Sequence, residues 1–222
     1  AWLYGRRATR PVDDLTEQLR AELYPRPWDE IDFRRHRDTI AAADDRSPAT
    51  PALKVVNRVL DAWETKVPST LRKRALDEIY GQIHFEDRVT HYIDIGPVNG
   101  VLNSLVHHFQ DPGGTREQRS FDALEQYLVE SPEGLKFNGY NNTALWDTAF
   151  AAQALARTPD PGRARDTLQR AFAYVEANQV RDDVPDHKRH YRHRSAGGWP
   201  FSDAAHGWPI TDCTAEGFKA AV

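Results

Sequence analysis

Pro51-Ala52-Leu53-Lys54-Val55-Val56-Asn57-Arg58-Val59-Leu60-Asp61-Ala62-Trp63-Glu64-Thr65-Lys66-Val67 decides the fold class. Leu53, Val56, Val59, Leu60, Trp63 and Val67 recur at steps of three and four, the spacing of one helix face and not the alternation of a strand. The spacing returns in Leu71, Ala75, Ile79, Gln82 and Ile83, after a Pro68-Ser69-Thr70 break whose hydroxyls can cap the new helix. Further helices read at about Val12–Tyr24, Val98–Gln110, Arg116–Glu130, Thr143–Arg157, Gly162–Gln179 and Thr214–Ala221. Asp111-Pro112-Gly113-Gly114, Ser131-Pro132-Glu133-Gly134 and Thr158-Pro159-Asp160-Pro161 break the chain between them. The nearest approach to a strand, His91 to Ile95, is short, and no heptad is sustained. The fold class is therefore all-α, with paired helices in a toroid or solenoid rather than a coiled coil. Arg34–Thr50 and Arg181–Arg194 read as charged, solvated connections.

Composition bounds the function. A chain of 222 residues with 40% hydrophobic content can bury a core and hold one or two domains. A formal net charge of −4 gives no electrostatic case for nucleic acid as a partner. The single cysteine, Cys213, rules out an internal disulfide and fits a reducing compartment. No signal peptide precedes Arg6, Arg7 and Arg10. No apolar run approaches the roughly 20 residues that span a bilayer, which leaves attachment to a membrane surface open. The chain begins at Ala1 and has no methionine, so it reads as an internal piece of a longer protein.

Three constellations carry chemistry. His187, His190 and His193 have a spacing that could gather a metal on a helix face, but Lys188, Arg189, Arg192 and Arg194 surround them. No carboxylate or cysteine completes the set, and crowded cations oppose another, so no metal site is expected. His107-His108 and Arg34-Arg35-His36-Arg37 fare no better. Tyr140-Asn141-Asn142-Thr143-Ala144-Leu145-Trp146-Asp147-Thr148-Ala149-Phe150 reads as a capped helix start. Its rings Trp146 and Phe150 can either pack in a core or line a cavity. The third lies near the end, where Asp212-Cys213-Thr214-Ala215-Glu216 follows Gly197-Gly198-Trp199-Pro200-Phe201-Ser202 and His206-Gly207-Trp208-Pro209-Ile210-Thr211. One acid set among glycines and rings suits an enzyme that starts a cation and steadies it on π faces. Asp212 as the N-cap of a helix from Thr214 explains the acid equally well, but not the aromatics before it.

These residues resemble the oxidosqualene cyclases, the sterol-forming branch of the terpenoid cyclases. The resemblance lies in Trp146-Asp147-Thr148-Ala149-Phe150, Gly197-Gly198-Trp199-Pro200-Phe201-Ser202, Asp212-Cys213-Thr214-Ala215-Glu216 and Ile93-Asp94-Ile95-Gly96-Pro97-Val98-Asn99, in family order. It implies a partial α-toroid: residues 1–138 as the C-terminal part of one (α/α) barrel, and residues 139–222 as the start of a second that carries the acid. By the same resemblance Asp212 is the proton donor to the epoxide of 2,3-oxidosqualene, with Cys213 and Glu216 supporting it. An ordinary aspartic acid has a pKa near 3.9, so holding it protonated near pH 7 requires about 4 kcal/mol, which burial in an apolar cavity supplies. Trp146 and Phe201 match cavity rings that steady carbocations, each worth about 2 kcal/mol once water is excluded.

The resemblance extends to the product. Tyr140, His206 and Ile210 match a trio that separates cycloartenol-forming from lanosterol-forming members, so cycloartenol is expected first and lanosterol second. Ile210 would constrain the folded substrate, while Tyr140 and His206 would position the last deprotonation. No cofactor is implied. The family attaches to one membrane face (cytoplasmic side, endoplasmic reticulum or lipid droplet), and Ala1-Trp2-Leu3-Tyr4 is a remnant candidate for that surface. A helical toroid kept only as a binding module stays as the reading from a different class. An (α/α)-barrel prenyltransferase would need zinc ligands that the chain does not assemble.

Overall fold

The computed structural model describes residues 1–36, 39–41, 43–140 and 143–222, with Arg34 described in its backbone alone. Arg37 of the basic cluster, and Asn141 and Asn142 of the aromatic motif, lie outside the described residues. Helices dominate: α1 (Trp2–Arg6), α2 (Asp14–Leu23), α3 (Pro51–Lys66), α4 (Ser69–Val89), α5 (Pro97–Gln110), α6 (Thr115–Leu124), α7 (Ala144–Ala156), α8 (Arg165–Ala177) and α9 (Thr211–Ala221). A two-stranded antiparallel hairpin, β1 (Leu128–Ser131) and β2 (Gly134–Phe137), is the one sheet among the described residues. The all-α class stands. Among the described residues no helix is long and apolar enough to cross a membrane.

The chain divides into two compact units, one of Tyr4–Ala75 and one of Ala1–Leu3 with Leu76–Val222. In the first, the Asp13 carboxylate starts α2 by accepting from the Thr16 amide at 2.9 Å and the Thr16 hydroxyl at 2.7 Å. Those bonds hold its pKa down at about 2. Thr50 caps α3 by accepting from Leu53 N at 3.2 Å, and Pro51 follows where its missing N–H costs nothing. Tyr24, Trp28 and Phe33 cluster edge to face and tilted, at 4.7–5.9 Å between centroids, with the Arg20 guanidinium over Trp28. The α3 stripe that identified the helix is exposed at Leu53, Val56, Val59, Leu60 and Trp63. Its covering surface is therefore not among the described residues of this unit.

In the second unit α5 packs on α6, and α7 packs on α8 and α9. Leu145, Val175 and Trp199 form its core, flanked by Tyr174, Ala220 and Ala221. The helix expected over Arg116–Glu130 ends at Leu124, passes through a 3-10 turn at Glu125–Tyr127 and becomes the hairpin. Tyr127 is the cause: it is buried, and its hydroxyl donates to Ile93 O at 2.7 Å, which stops the helix. Pro132-Glu133 then makes a tight turn between Ser131 and Gly134, the Gly134 φ of +120° lying where only glycine is comfortable. Residues 161–164 are likewise 3-10 before α8. Trp2 is 3% exposed and its ring lies 6.1 Å from that of Tyr80, so the Ala1–Tyr4 segment offers Tyr4 to its surroundings but not its tryptophan.

Candidate active site

The Gly/Trp segment 197–210 is a frame that ties three helices together. Gly197 N donates to Val180 O at 2.7 Å, Val180 N donates to Gly198 O at 2.9 Å, and Trp199 Nε1 donates to Val175 O at 2.7 Å, all at the end of α8. The amides of Leu145 and Trp146, orphaned at the start of α7, donate to Ser202 O at 3.1 Å and Phe201 O at 3.2 Å. Those carbonyls do the work of a side-chain cap. Thr143, at the cap position, instead donates its hydroxyl to Asp147 at 2.7 Å. Trp199 O accepts from Ile210 N at 3.1 Å and Trp199 N donates to Thr214 Oγ1 at 3.0 Å, which fixes the start of α9.

This frame brings together most of the residues singled out in the sequence. Phe201 lies 5.2 Å from Trp146 and 4.6 Å from Tyr140, ring to ring, while Trp146 meets Phe150 at 4.7 Å. Trp146 is half-buried and Phe150 exposed, so the core uses their neighbours Leu145 and Ala149 instead. Both rings therefore project from the packed face of α7 rather than into it. The Tyr140 and His206 rings are 6.4 Å apart. His206 is fully buried on a 3-10 turn capped by Asp203, which accepts from His206 N at 3.2 Å. Gly207, at φ +64°, ends that turn where a Cβ would press on the Val89 carbonyl.

Asp212 is not the cap of a helix from Thr214. The helix begins at Thr211 with Ile210 in the cap position, and Asp212 sits in the first turn, its Oδ1 accepting from Cys213 N at 2.8 Å. Ile210 reaches this position because its own N–H is taken by Trp199. Asp212 is exposed, so the apolar burial expected for an initiating acid is not supplied by the described residues. Cys213 is buried, and its thiol is pushed up to about 12, first by burial and then by the Asp212 charge and hydrogen bond. Burial likewise pushes Tyr140 up to about 12, with the charges of Cys213 and Asp212 adding to it. Glu216 is held below its ordinary range by Lys219 at 2.6 Å and by Gln153 at 2.9 Å. Among the described residues no hydrogen bond joins Glu216 to Asp212.

The histidines 187, 190 and 193 lie in turns and extended chain rather than on a helix. His190 stacks on Phe85 at 3.6 Å and bonds Gln82 at 2.8 Å. A buried polar network was missed in the sequence. Asp87 binds His107 Nε2 at 2.8 Å and Asn103 Nδ2 at 3.1 Å. Beside it, the Asp94 carboxyl is driven well above the usual carboxylate range by burial and by the charges of Asp87 and Glu86. The signal was present: Asn103 and His107 stand four apart, on one face of the α5 helix, where they are buried beside Gly100, Ser104 and Val106.

No protein-family model matches the chain. It is 38% identical over 222 residues to the cycloartenol synthase of Dictyostelium discoideum, covering all of this chain and 32% of that protein. The lanosterol synthase erg7A of Aspergillus fumigatus is 37% identical over 228 residues, covering all of this chain and 30% of that protein. Human lanosterol synthase is 35% identical over 223 residues, covering 99% of this chain and 30% of that protein. The chain thus spans about a third of the length of the curated relatives it matches.

Proposed function

Because the chain aligns over its whole length with oxidosqualene cyclases, we propose that the protein it forms part of protonates the epoxide of 2,3-oxidosqualene and cyclises it through carbocations to a sterol precursor. The observation that carries this reading is the convergence of Trp146, Phe201, Tyr140 and His206 on one frame, with Asp212-Cys213 at the start of the helix that frame anchors. Asp212 is the proton donor. Burying that carboxyl raises its pKa, and the part of the protein outside this stretch supplies the burial. Cys213, neutral and packed beside it, orients the carboxyl, and Glu216 returns the proton. Trp146 and Phe201 present rings that attract a cation without capturing it.

The product we propose is cycloartenol, on the trio Tyr140, His206 and Ile210. Lanosterol is the second reading, favoured by relatives of both kinds at nearly equal identity. Residues 1–138 close one (α/α) barrel and residues 139–222 open the next. The enzyme attaches to one face of a membrane because its substrate is a lipid. The test is to express the full-length gene, supply 2,3-oxidosqualene and identify products by mass spectrometry. The wild type is expected to give a cyclised triterpenol, and Asp212→Asn to lose at least about a thousandfold in turnover, as expected when the group that begins the reaction is removed. Undiminished turnover in Asp212→Asn refutes the role of the acid. Lanosterol as sole product refutes only cycloartenol.

A further inference from the structure

His206 is fully buried and uses one ring nitrogen. Its Nε2 lies 2.7 Å from the main-chain carbonyl of Asp94. A carbonyl only accepts, so Nε2 carries the proton. Burial opposes a second proton on the ring, which leaves Nδ1 as a bare lone pair. Among the described residues that Nδ1 is buried without a hydrogen-bond partner, and so is the hydroxyl of the neighbouring Tyr140.

The carbonyl that sets this state is itself held. Asp94 has φ +62°, and His91 and Tyr92 just before it are also left-handed, at +56° and +67°. Non-glycine residues persist there only when their surroundings fix them. Asp94 N donates to Thr90 Oγ1 at 3.0 Å, and that hydroxyl donates to Glu86 O at 2.8 Å in the last turns of α4. Ile93 N donates to Thr90 O at 3.1 Å, and Ile93 O accepts from Tyr127. The turn is therefore pinned from both α4 and the segment after α6.

We infer that the Thr90–Asp94 turn is a positioning element for His206. The Asp94 carbonyl selects the Nε2–H tautomer of an imidazole that burial keeps neutral, and leaves Nδ1 as the ring's acceptor in the neighbourhood of the Tyr140 hydroxyl. Thr90 and Asp94 act through His206. The consequence rests on the proposed cyclisation, in which Tyr140 and His206 set where the last proton leaves. Choosing among several C–H bonds requires lone pairs in fixed places, and a ring free to exchange tautomers would offer an acceptor at either nitrogen.

The test uses the full-length protein with 15N-labelled histidine, the His206 signals being assigned as those lost in His206→Gln. Wild type is expected to show a neutral ring with the proton on Nε2. Thr90→Val keeps the side-chain size but removes the oxygen under Asp94 N–H. It is expected to let the Nδ1–H tautomer appear and to shift the ratio of deprotonation products by roughly fivefold to tenfold, the change one ordinary hydrogen bond brings. Asp94→Asn keeps the carbonyl and tolerates a left-handed backbone, so it is expected to keep the wild-type tautomer and ratio. A wild-type spectrum with the proton on Nδ1 overturns the inference. So does a Thr90→Val enzyme with lower total turnover but an unchanged product ratio, the pattern of a purely structural residue. A wild type that forms no cyclised product refutes the proposed function, while the spectrum still decides the tautomer.

Discussion

Gly217→Ala and Gly81→Ala are the same chemical change in two helices, and the structure assigns them opposite signs. In a helix interior alanine is favoured over glycine by about 1 kcal/mol. At Gly81, in α4, a Cβ would meet nothing within 4 Å, so that preference should appear undiminished. At Gly217, in α9, a Cβ would lie 2.8 Å from Trp199 Cδ2, 2.9 Å from Cγ and 3.2 Å from Cε3. The indole cannot swing aside, because Nε1 is bonded to Val175 O at 2.7 Å and both main-chain polar groups of Trp199 are tied to residues 210 and 214. Overpacking a fixed core costs about 1–3 kcal/mol, which outweighs the helix preference. Gly217→Ala should therefore lose up to about 2 kcal/mol while Gly81→Ala gains about 1, as net effects of these two terms. Urea unfolding followed by tryptophan fluorescence reads both midpoints against wild type. A Gly217→Ala protein as stabilised as Gly81→Ala would mean that α9 does not rest on the Trp199 ring, and the frame described for the acid would be wrong.

Other expectations follow from the same packing. Leu145, fully buried against Val175 and Trp199, should cost about 2–5 kcal/mol on truncation to alanine, measured by the same unfolding assay. Cys213 should resist iodoacetamide at pH 8 in the folded protein and react once urea unfolds it; equal rates in both states would contradict its burial. Its raised pKa also fixes a sign. The neutral thiol contributes stability that is complete below the unfolded value of about 9 and is lost as pH rises toward the folded value of about 12, so a Cys213→Ala protein should lose less stability over that range than wild type.

Helix periodicity was legible because it is local. The stripe of α3 and the breaks at Pro68 and Pro112 depend on neighbours within a turn or two. The hairpin at Leu128–Phe137 was not legible, since what ends α6 is a hydrogen bond from Tyr127 to a carbonyl 34 residues earlier. The start of α9 escaped for the same reason: Asp212 carries the better capping side chain, but Ile210 N is claimed by Trp199 O, and that long-range bond moves the cap two residues upstream. The motifs around Trp146, Phe201 and Asp212 pointed to these candidate residues through resemblance. Nothing in their spacing showed that the carbonyls of Phe201 and Ser202 cap α7, although that bonding is what sets Trp146 beside Phe201.

The rings and the acid differ in how far this stretch prepares them. Phe201 and the start of α7 that carries Trp146 are tied by main-chain bonds to a segment anchored in the core at Trp199 and Val175, while Tyr140 rests on Phe201 by ring contact and His206 on the Asp94 carbonyl. Asp212 is fixed in direction by the same frame, through Ile210 and the Cys213 amide, yet it remains exposed. Direction and acidity are separable properties of a carboxyl: hydrogen bonds and helix geometry set the first, burial chiefly sets the second. In the proposed enzyme the frame supplies direction and the enclosing remainder supplies acidity. Substitutions in the frame, such as Gly217→Ala, should then alter turnover by misplacing the acid without moving the pH at which turnover falls. Substitutions in the enclosing wall should move that pH. A frame variant that shifts the pH profile while keeping wild-type turnover would show that the two are not divided in this way.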